Sequence, residues 1–438
     1  MKNKIGIGLI GLGTVGTGVA KIINSPTGRH PLVSQLELRR IAVRDLNKSR
    51  DITIEPSIIC QDPLNVVNDP SVKIVVEVMG GIEPARRIIL SSIESGKSVV
   101  TANKAVIARH GVEIANAAHS AGVYVLIEAA VGGGIPIIEP LKQSLGGNRI
   151  KKVSGIINGT TNYILSRMAK EGADYAELLK EAQRLGYAES DPSADVEGLD
   201  AADKIAILSR LAFGGTIKRE LIPTKGISNL QNRDVEYAKK LGYEVKLLAI
   251  AELIEKVNIS TKSLPLSLRV EPTLLPLGHP LAGVNGVNNA IVVEGEPIGE
   301  VMFYGPGAGA GPTSSAVVAD ILNIAGMKLM GDENILLDPL LSASTWRECH
   351  LAQSKEILQK NYIRLITKDT PGVIGQIGKI FGDHLVSIES IVQFDASNAE
   401  AEIVVITHRV NQGEMSEALS SIKRLSTVKG IVAHLGCL

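Results

Sequence analysis

The chain has 438 residues, which at about 150 residues per domain corresponds to roughly three domains. Lysine plus arginine number 46 and aspartate plus glutamate 46, giving a formal charge of zero, and aromatic residues make up only 3%. These figures exclude a basic nucleic-acid surface and base-stacking platforms, and a hydrophobic fraction of 45% excludes a disordered chain.

Lys2 and Lys4 precede an apolar run over 5–20, the outline of a signal peptide. Six glycines interrupt that run (Gly6, Gly8, Gly11, Gly13, Gly16, Gly18), which disfavours a helical signal core, so the segment reads as structure. A buried strand is predicted over 5–10, followed by Gly-Leu-Gly-Thr-Val-Gly at 11–16 and a helix over 15–23. In such a turn Gly11 permits the tight bend, Gly13 lets a pyrophosphate approach the backbone, and Gly16 lets the helix pack closely on the strand. Further strands over 36–43, 73–78, 98–100 and 123–129 alternate with helices over 83–95 and 106–120. That alternation predicts a doubly wound α/β domain with a mostly parallel sheet.

Gly132-Gly133-Gly134-Ile135-Pro136 breaks the pattern, and helical periods follow over 137–145, 162–170, 175–185 and 199–213. Strands of a second sheet are expected over 243–253 and 290–293. A glycine loop at 305–312 leads into a helix over 314–325, positioned to return to the first domain. The tail reads as strand 362–367, helix 372–381, strands 388–394 and 401–407, helix 412–425 and strand 428–435. This β-α-β-β-α-β order is the ferredoxin-like arrangement. The expected division is 1–135, completed by about 305–340, then an α+β region over 136–304 and a small domain over 355–438. Cys60, Cys349 and Cys437 lie far apart with no CxxC pair, so no disulfide framework or zinc site is indicated, and a reducing, cytoplasmic setting fits. The longest uncharged run is rich in glycine, proline and serine and makes a poor membrane helix.

Four polar features are candidates for chemistry. Arg44-Asp45, with Lys48 and Arg50 nearby, ends the second strand: the arginine suits a 2′-phosphate and NADP(H), the aspartate suits a free ribose and NAD(H), and a plain solvated charge run is the third reading. Lys104, in Ala102-Asn103-Lys104-Ala105, falls at the carboxyl edge of the sheet, either as a ligand to cofactor and substrate oxygens or as a surface lysine. Residues 187–200 hold a dense set of carboxylates, and Asp200 and Lys204 share one helix face. They read as an exposed ion pair worth about 0.3–0.5 kcal/mol, or as an acid/base lysine tuned by carboxylates and burial. Asn158-Gly159-Thr160-Thr161-Asn162-Tyr163 reads as a helix cap with more polar groups than a cap requires.

GLGTVG at 11–16, ANKA at 102–105, NGTTNYIL at 158–165 and AQRLGYAESDPSADVEGLDAADK at 182–204 resemble homoserine dehydrogenase over about residues 1–340. Asp369-Thr370-Pro371-Gly372-Val373-Ile374 resembles an ACT domain, and the whole looks like the monofunctional form. The resemblance implies NAD(P)-dependent interconversion of L-homoserine and L-aspartate 4-semialdehyde, within threonine, methionine and isoleucine biosynthesis. It implies Lys204 as the acid/base residue and Lys104 as a second active-site lysine near nicotinamide and substrate. Glu189, Asp195, Asp200 and Thr160 match substrate positions, and Gly11, Gly13, Thr14, Val15, Gly16, Arg44, Lys104 and Gly305 match cofactor positions. It further implies a monovalent cation, usually sodium, held by Glu128 and the carbonyls of Val131, Gly133 and Ile135. An amino-acid effector, most simply L-threonine, is expected at the ACT-like tail, with a homodimer or homotetramer and no nucleic-acid or membrane partner. Aspartate-semialdehyde dehydrogenase, an enzymatic rival, needs a nucleophilic cysteine, and none of the three lies in a suitable loop. A non-enzymatic metabolite sensor would not need an acid/base lysine.

Overall fold

A strand that is apolar on both faces is stable only where helices cover both sides of its sheet. In the computed structural model, which describes residues 4–254, 263–329, 348–397 and 399–438, six strands pair around a core of that kind. They are β1 (Ile5–Ile10), β2 (Leu36–Ala42), β3 (Ile59–Cys60), β4 (Ile74–Glu77), β5 (Ser98–Thr101) and β6 (Val125–Leu126). All are parallel, in the order β3-β2-β1-β4-β5-β6. Every residue of β1, β4 and β5 is buried. The strand order reverses between β1 and β4, which opens a crevice at their carboxyl ends where open sheets of this kind bind ligands.

The chain divides into two compact units. The first is built from Met1–Val153, Asp203–Leu221 and Asn288–Glu348, the second from Ser154–Ala202, Ile222–Val287 and Cys349–Leu438. In the first unit, the helix Thr14–Asn24 turns Gly16, Val19, Ala20 and Ile23 inward as one apolar stripe. Val317, Ile321 and Ile324 of the helix Ala310–Leu329 complete the same core. A Cβ on Gly18 would stand 2.5 Å from Ser314 Oγ, so a glycine is what lets these two helices approach. The part of the expected 305–340 segment beyond residue 329 lies outside the described residues.

Two local differences from the sequence-based expectation have identifiable causes. Residues 305–312 are not one loop: Gly305 and Pro306 end the strand Gly299–Pro306, paired with Asn288–Glu296, while Gly311 and Pro312 lie in the first helical turn. Proline is tolerated there because first-turn amides have no partner within the helix. The strand expected over 123–129 shrinks to β6 and gives way to a 3₁₀ turn, Glu128–Ala130. The Glu128 amide donates to Asp320 Oδ2 (2.8 Å) rather than to a neighbouring strand.

In the second unit, the strands Tyr243–Leu253 and Ser263–Pro276 pair antiparallel. The tail forms the expected ferredoxin-like sheet, with Val428–Cys437 beside Leu358–Lys368, then Glu400–Thr407, then Ile388–Ser397. Helices Val373–Asp383 and Gln412–Ile422 cover it through Ile377, Phe381, Met415 and Ile422. Its edge strand pairs in parallel with Ser263–Pro276 through Gly436↔Thr273 and Cys437↔Leu274.

A buried ionic cluster reinforces that seam. Arg364 Nε donates to Asp234 Oδ1 (2.7 Å), and its Nη2 to Asp234 Oδ2 (3.1 Å) and Gln231 Oε1 (2.6 Å). Nη1 reaches Glu402 Oε2 at 3.2 Å, Tyr362 Oη donates to Asp234 Oδ1, and the Arg364 and Asp234 side chains are each only 2% exposed. Tyr237 stacks on Phe394 with ring centroids 4.1 Å apart. Removing one partner of a buried pair strands the other charge, at a cost of about 3–5 kcal/mol. Asp234→Ala is therefore expected to lower the melting temperature by several degrees, whereas the exposed control Glu236→Ala leaves it unchanged. Equal melting of both variants would show that the cluster contributes no net stability.

Candidate active site

The turn after β1 begins at Gly11, whose φ of +102° lies in the left-handed region. A Cβ on Gly16 would stand 2.0 Å from the Gly11 carbonyl, so that position has no room for a side chain. Gly13 differs: nothing in the protein lies within 4 Å of where its Cβ would be, and it precedes the first turn of Thr14–Asn24 with no side-chain cap. The absent side chain there leaves open space at a helix N-terminus with free amides, the setting that accepts a phosphate. The turn therefore fits a dinucleotide.

A pocket of the first unit opens beside this turn. Val15, Lys104, Gly133, Lys204, Gly307 and Thr313 are among its lining residues, so the structure brings both expected lysines to one cavity. Lys104 opens the helix Lys104–Ala121, and Asn103 Oδ1 caps that helix through the Val106 amide (3.3 Å). Asn103 is itself fixed. Its side-chain amide donates to the Gly81 carbonyl (2.7 Å), and its backbone amide donates to Thr101 Oγ1 (3.0 Å). Thr101 in turn donates to Glu77 Oε2 (2.6 Å), and the Met79 amide to Glu77 Oε1 (2.9 Å). Glu77 is fully buried, and burial pushes its carboxyl above the usual carboxylate range. Sequence reading passed over Glu77 and Thr101, although a glutamate ending an otherwise apolar strand was a visible signal.

Glu128 lies in the same unit. Its Oε1 accepts the amides of Ile137 (2.6 Å) and Ile138 (2.9 Å), and its Oε2 that of Glu139 (2.7 Å). Val131, Gly133 and Ile135 are buried, and among the described residues no backbone amide donates to their carbonyls. Backbone carbonyls and a carboxylate are hard-oxygen donors of the kind a monovalent cation takes, and Glu128 with the carbonyls of Val131, Gly133 and Ile135 could supply them. Asp320, fully buried beneath this turn, has its carboxyl raised by burial and then by the neighbouring Glu128 charge.

The remaining positions fall elsewhere. In the second unit, Asn158 caps the helix Gly159–Glu171, and its Nδ2 donates to Asp195 Oδ1 (2.7 Å) and Asp200 Oδ2 (3.0 Å). Thr160 Oγ1 donates to the Tyr187 carbonyl (2.6 Å) and lies 3.2 Å from Asp195 Oδ2. Asp195, Asp200 and Thr160 are thus gathered around Asn158, while Glu189 is exposed on the preceding loop. The helix Leu199–Phe213 carries Asp200 in its first turn and Lys204 one turn later. Arg44 is exposed two residues beyond β2, and Asp45 Oδ1 accepts the Asn47 amide (2.9 Å). Gly305 pairs with Asn289 within its strand, and the pocket wall nearby is formed by Gly307 and Ala308.

Comparison with known proteins bears on this arrangement directly. Residues 11–128 match the family model "Homoserine dehydrogenase, NAD binding domain", residues 136–322 match "Homoserine dehydrogenase", and residues 361–427 match "ACT domain". A homoserine dehydrogenase from Synechocystis is 55% identical over 97% of this chain and 97% of its own length. The chain belongs to the homoserine dehydrogenase family. The fold agrees: a crystal structure of the Thiobacillus denitrificans homoserine dehydrogenase superposes with a TM-score of 0.88 at 39% identity, covering 99% of this chain and 98% of that one. A hyperthermophilic archaeal homoserine dehydrogenase in complex with NADPH matches 74% of this chain and 98% of its own at 29% identity, with a TM-score of 0.59. Homoserine dehydrogenases are oxidoreductases, and this one carries an NAD(P)-binding domain, a catalytic region and a carboxyl-terminal ACT domain of the kind that binds small-molecule effectors.

The glycine geometry separates binding from folding. Gly13→Val is expected to weaken NADP(H) and NAD(H) by on the order of tenfold or more, about 1.4 kcal/mol, with an unchanged melting temperature. Gly16→Ala instead destabilises the fold by about 1–3 kcal/mol through overpacking. Dinucleotide titration and thermal melts of both variants check the contrast; full affinity in Gly13→Val would remove the phosphate from that turn.

Proposed function

We propose that this homoserine dehydrogenase interconverts L-homoserine and L-aspartate 4-semialdehyde with Lys204 as its acid/base residue, serving threonine, methionine and isoleucine biosynthesis. The observation that carries this reading is the convergence of Lys104 and Lys204, from two different helices, on the pocket beside the glycine turn. The nicotinamide supplies or receives the hydride. In the oxidative direction, neutral Lys204 accepts the hydroxyl proton of homoserine as the carbon-bound hydrogen leaves with its electron pair; in reverse, its ammonium protonates the aldehyde oxygen. Lys104 binds substrate and cofactor oxygens, helped by its place after the Asn103 cap. Glu189, Asp195, Asp200 and Thr160 recognise the amino-acid part of the substrate, with Asn158 holding two of the carboxylates.

NADP(H) is the preferred cofactor in this proposal and NAD(H) an accepted one. Arg44 stands exposed past β2, available to a 2′-phosphate, while Asp45 is engaged in a turn with Asn47. Gly11, Gly13, Thr14, Val15 and Gly16 would cradle the pyrophosphate, with Gly305 a further cofactor position two residues before Gly307 of the pocket wall. Sodium would be held by Glu128 and the carbonyls of Val131, Gly133 and Ile135, where its charge would fix the glycine-rich turn.

The regulatory part of the proposal places L-threonine at the ACT region, expected over 355–438. A cavity there is lined by Asp369, Thr370, Gly372, Val373, Gln393 and Ile403, groups that suit an amino acid's charged ends and short side chain. A homodimer or homotetramer in the cytoplasm completes the reading. Among the described residues Cys60, Cys349 and Cys437 form no disulfide, and no described helix is long and apolar enough to cross a membrane.

Two measurements test the proposal. Lys204→Met is expected to cut turnover of L-homoserine by about 10²–10⁴-fold while dinucleotide affinity stays near that of the parent; near-native turnover would remove the assigned role. L-Threonine is expected to inhibit the full chain in steady-state assays, and activity constant across the titration would discard it as effector.

A further inference from the structure

The two pocket lysines are joined, outside the pocket, by a tether that none of their assigned roles explains. Arg109 lies five residues after Lys104 on the helix Lys104–Ala121, and Asp203 immediately precedes Lys204 on the helix Leu199–Phe213. Arg109 Nη1 donates twice: to the Ala105 carbonyl in the turn that carries Lys104 (3.2 Å), and to Asp203 Oδ2 (3.2 Å). The second oxygen of Asp203 accepts from Arg219 Nε at 2.8 Å. Asp203 and Arg219 are 7% and 8% exposed, so their link is buried, and Arg109 reaches Asp203 from the exposed side of its helix.

We propose that Asp203, Arg109 and Arg219 are positioning residues that set the separation and aim of Lys104 and Lys204. Both lysines open on one cavity, so any relative shift of the helices that carry them changes their separation, and the Asp203–Arg109 link restrains that shift. The Asp203 carboxylate supplies both the link and a negative charge next to Lys204. Its neighbour on the helix points about 100° away, so Asp203 engages the arginines while Lys204 remains directed at the pocket. Reacting groups displaced by about 1 Å can lose on the order of 10²-fold in rate, so a loosened tether lowers turnover without emptying the cofactor site.

The inference rests on the proposed role of Lys204, and the test separates the two. Arg109→Met, at the partly exposed end of the tether, is expected to lower kcat about tenfold or more, within the range a small misplacement costs. Its NADP⁺ affinity and melting temperature should stay close to those of the parent enzyme. Arg109→Lys, which retains a donor and a charge, should recover much of the loss. Asp203→Asn combined with Arg109→Met should be no slower than the slower single variant, because both break one link. Parental kcat in Arg109→Met, or a loss that follows a fall in melting temperature, overturns the inference. Lys204→Met serves as the reference: if it is inactive while Arg109→Met is unimpaired, only the tether fails, and if it is fully active, the role of Lys204 itself fails.

Discussion

The first unit depends on one carboxylate. Glu128 sits where the parallel sheet ends, and three consecutive amides, from Ile137 to Glu139, close on it. Its own amide is bound by Asp320 of the helix Ala310–Leu329. An acceptor that satisfies three donors at once, two of them buried, is costly to replace, since each buried donor left alone forfeits about 1–3 kcal/mol. This single residue thereby joins the last strand of the sheet, the start of the next helix and a helix contributed from far along the sequence. The pocket wall at Gly132, Gly133, Gly307 and Ala308 lies between those anchored pieces.

A comparable economy operates around Lys104. The backbone just before it is held by a relay from Glu77 through Thr101 to Asn103. A polar relay of this sort is stiff because a rearranged member would leave a buried group unpaired. Lys104 therefore starts from a rigid element, while Glu189 sits on an exposed loop.

Much of this was legible in the sequence. The alternation of apolar strands with amphipathic helices gave the parallel sheet, because burial on both faces leaves a composition signal that local reading can detect. The helix Leu199–Phe213 and the tail's strand–helix order were readable for the same reason. The glycine turn also reported its own geometry, since Gly11 and Gly16 have steric requirements that act within a few residues. What escaped local reading was set by partners remote in sequence. β6 stops early because Glu128 answers to Asp320, 192 positions away. Arg364 is buried because Asp234 is there to receive it, 130 positions away. The tether from Arg109 to Asp203 spans 94 positions, and no periodicity announces it. At the site, residue types were legible and their grouping was not: Asn158 read as a helix cap, and that it also gathers Asp195 and Asp200 emerged only from the fold.

The first unit's three-part construction has a consequence during synthesis. Leu126 completes the parallel sheet, but the helix that covers part of it begins only at Ala310. At about 5–20 residues per second, the ribosome needs on the order of 10–40 s to deliver that cover. Until then the apolar surface that later meets Val317, Ile321 and Ile324 faces solvent or a chaperone. A chain stopped anywhere between these points leaves an unfinished core, so the dinucleotide-binding domain is not a separable amino-terminal module: it closes only after residues 154–202 and 222–287 of the second unit have been made.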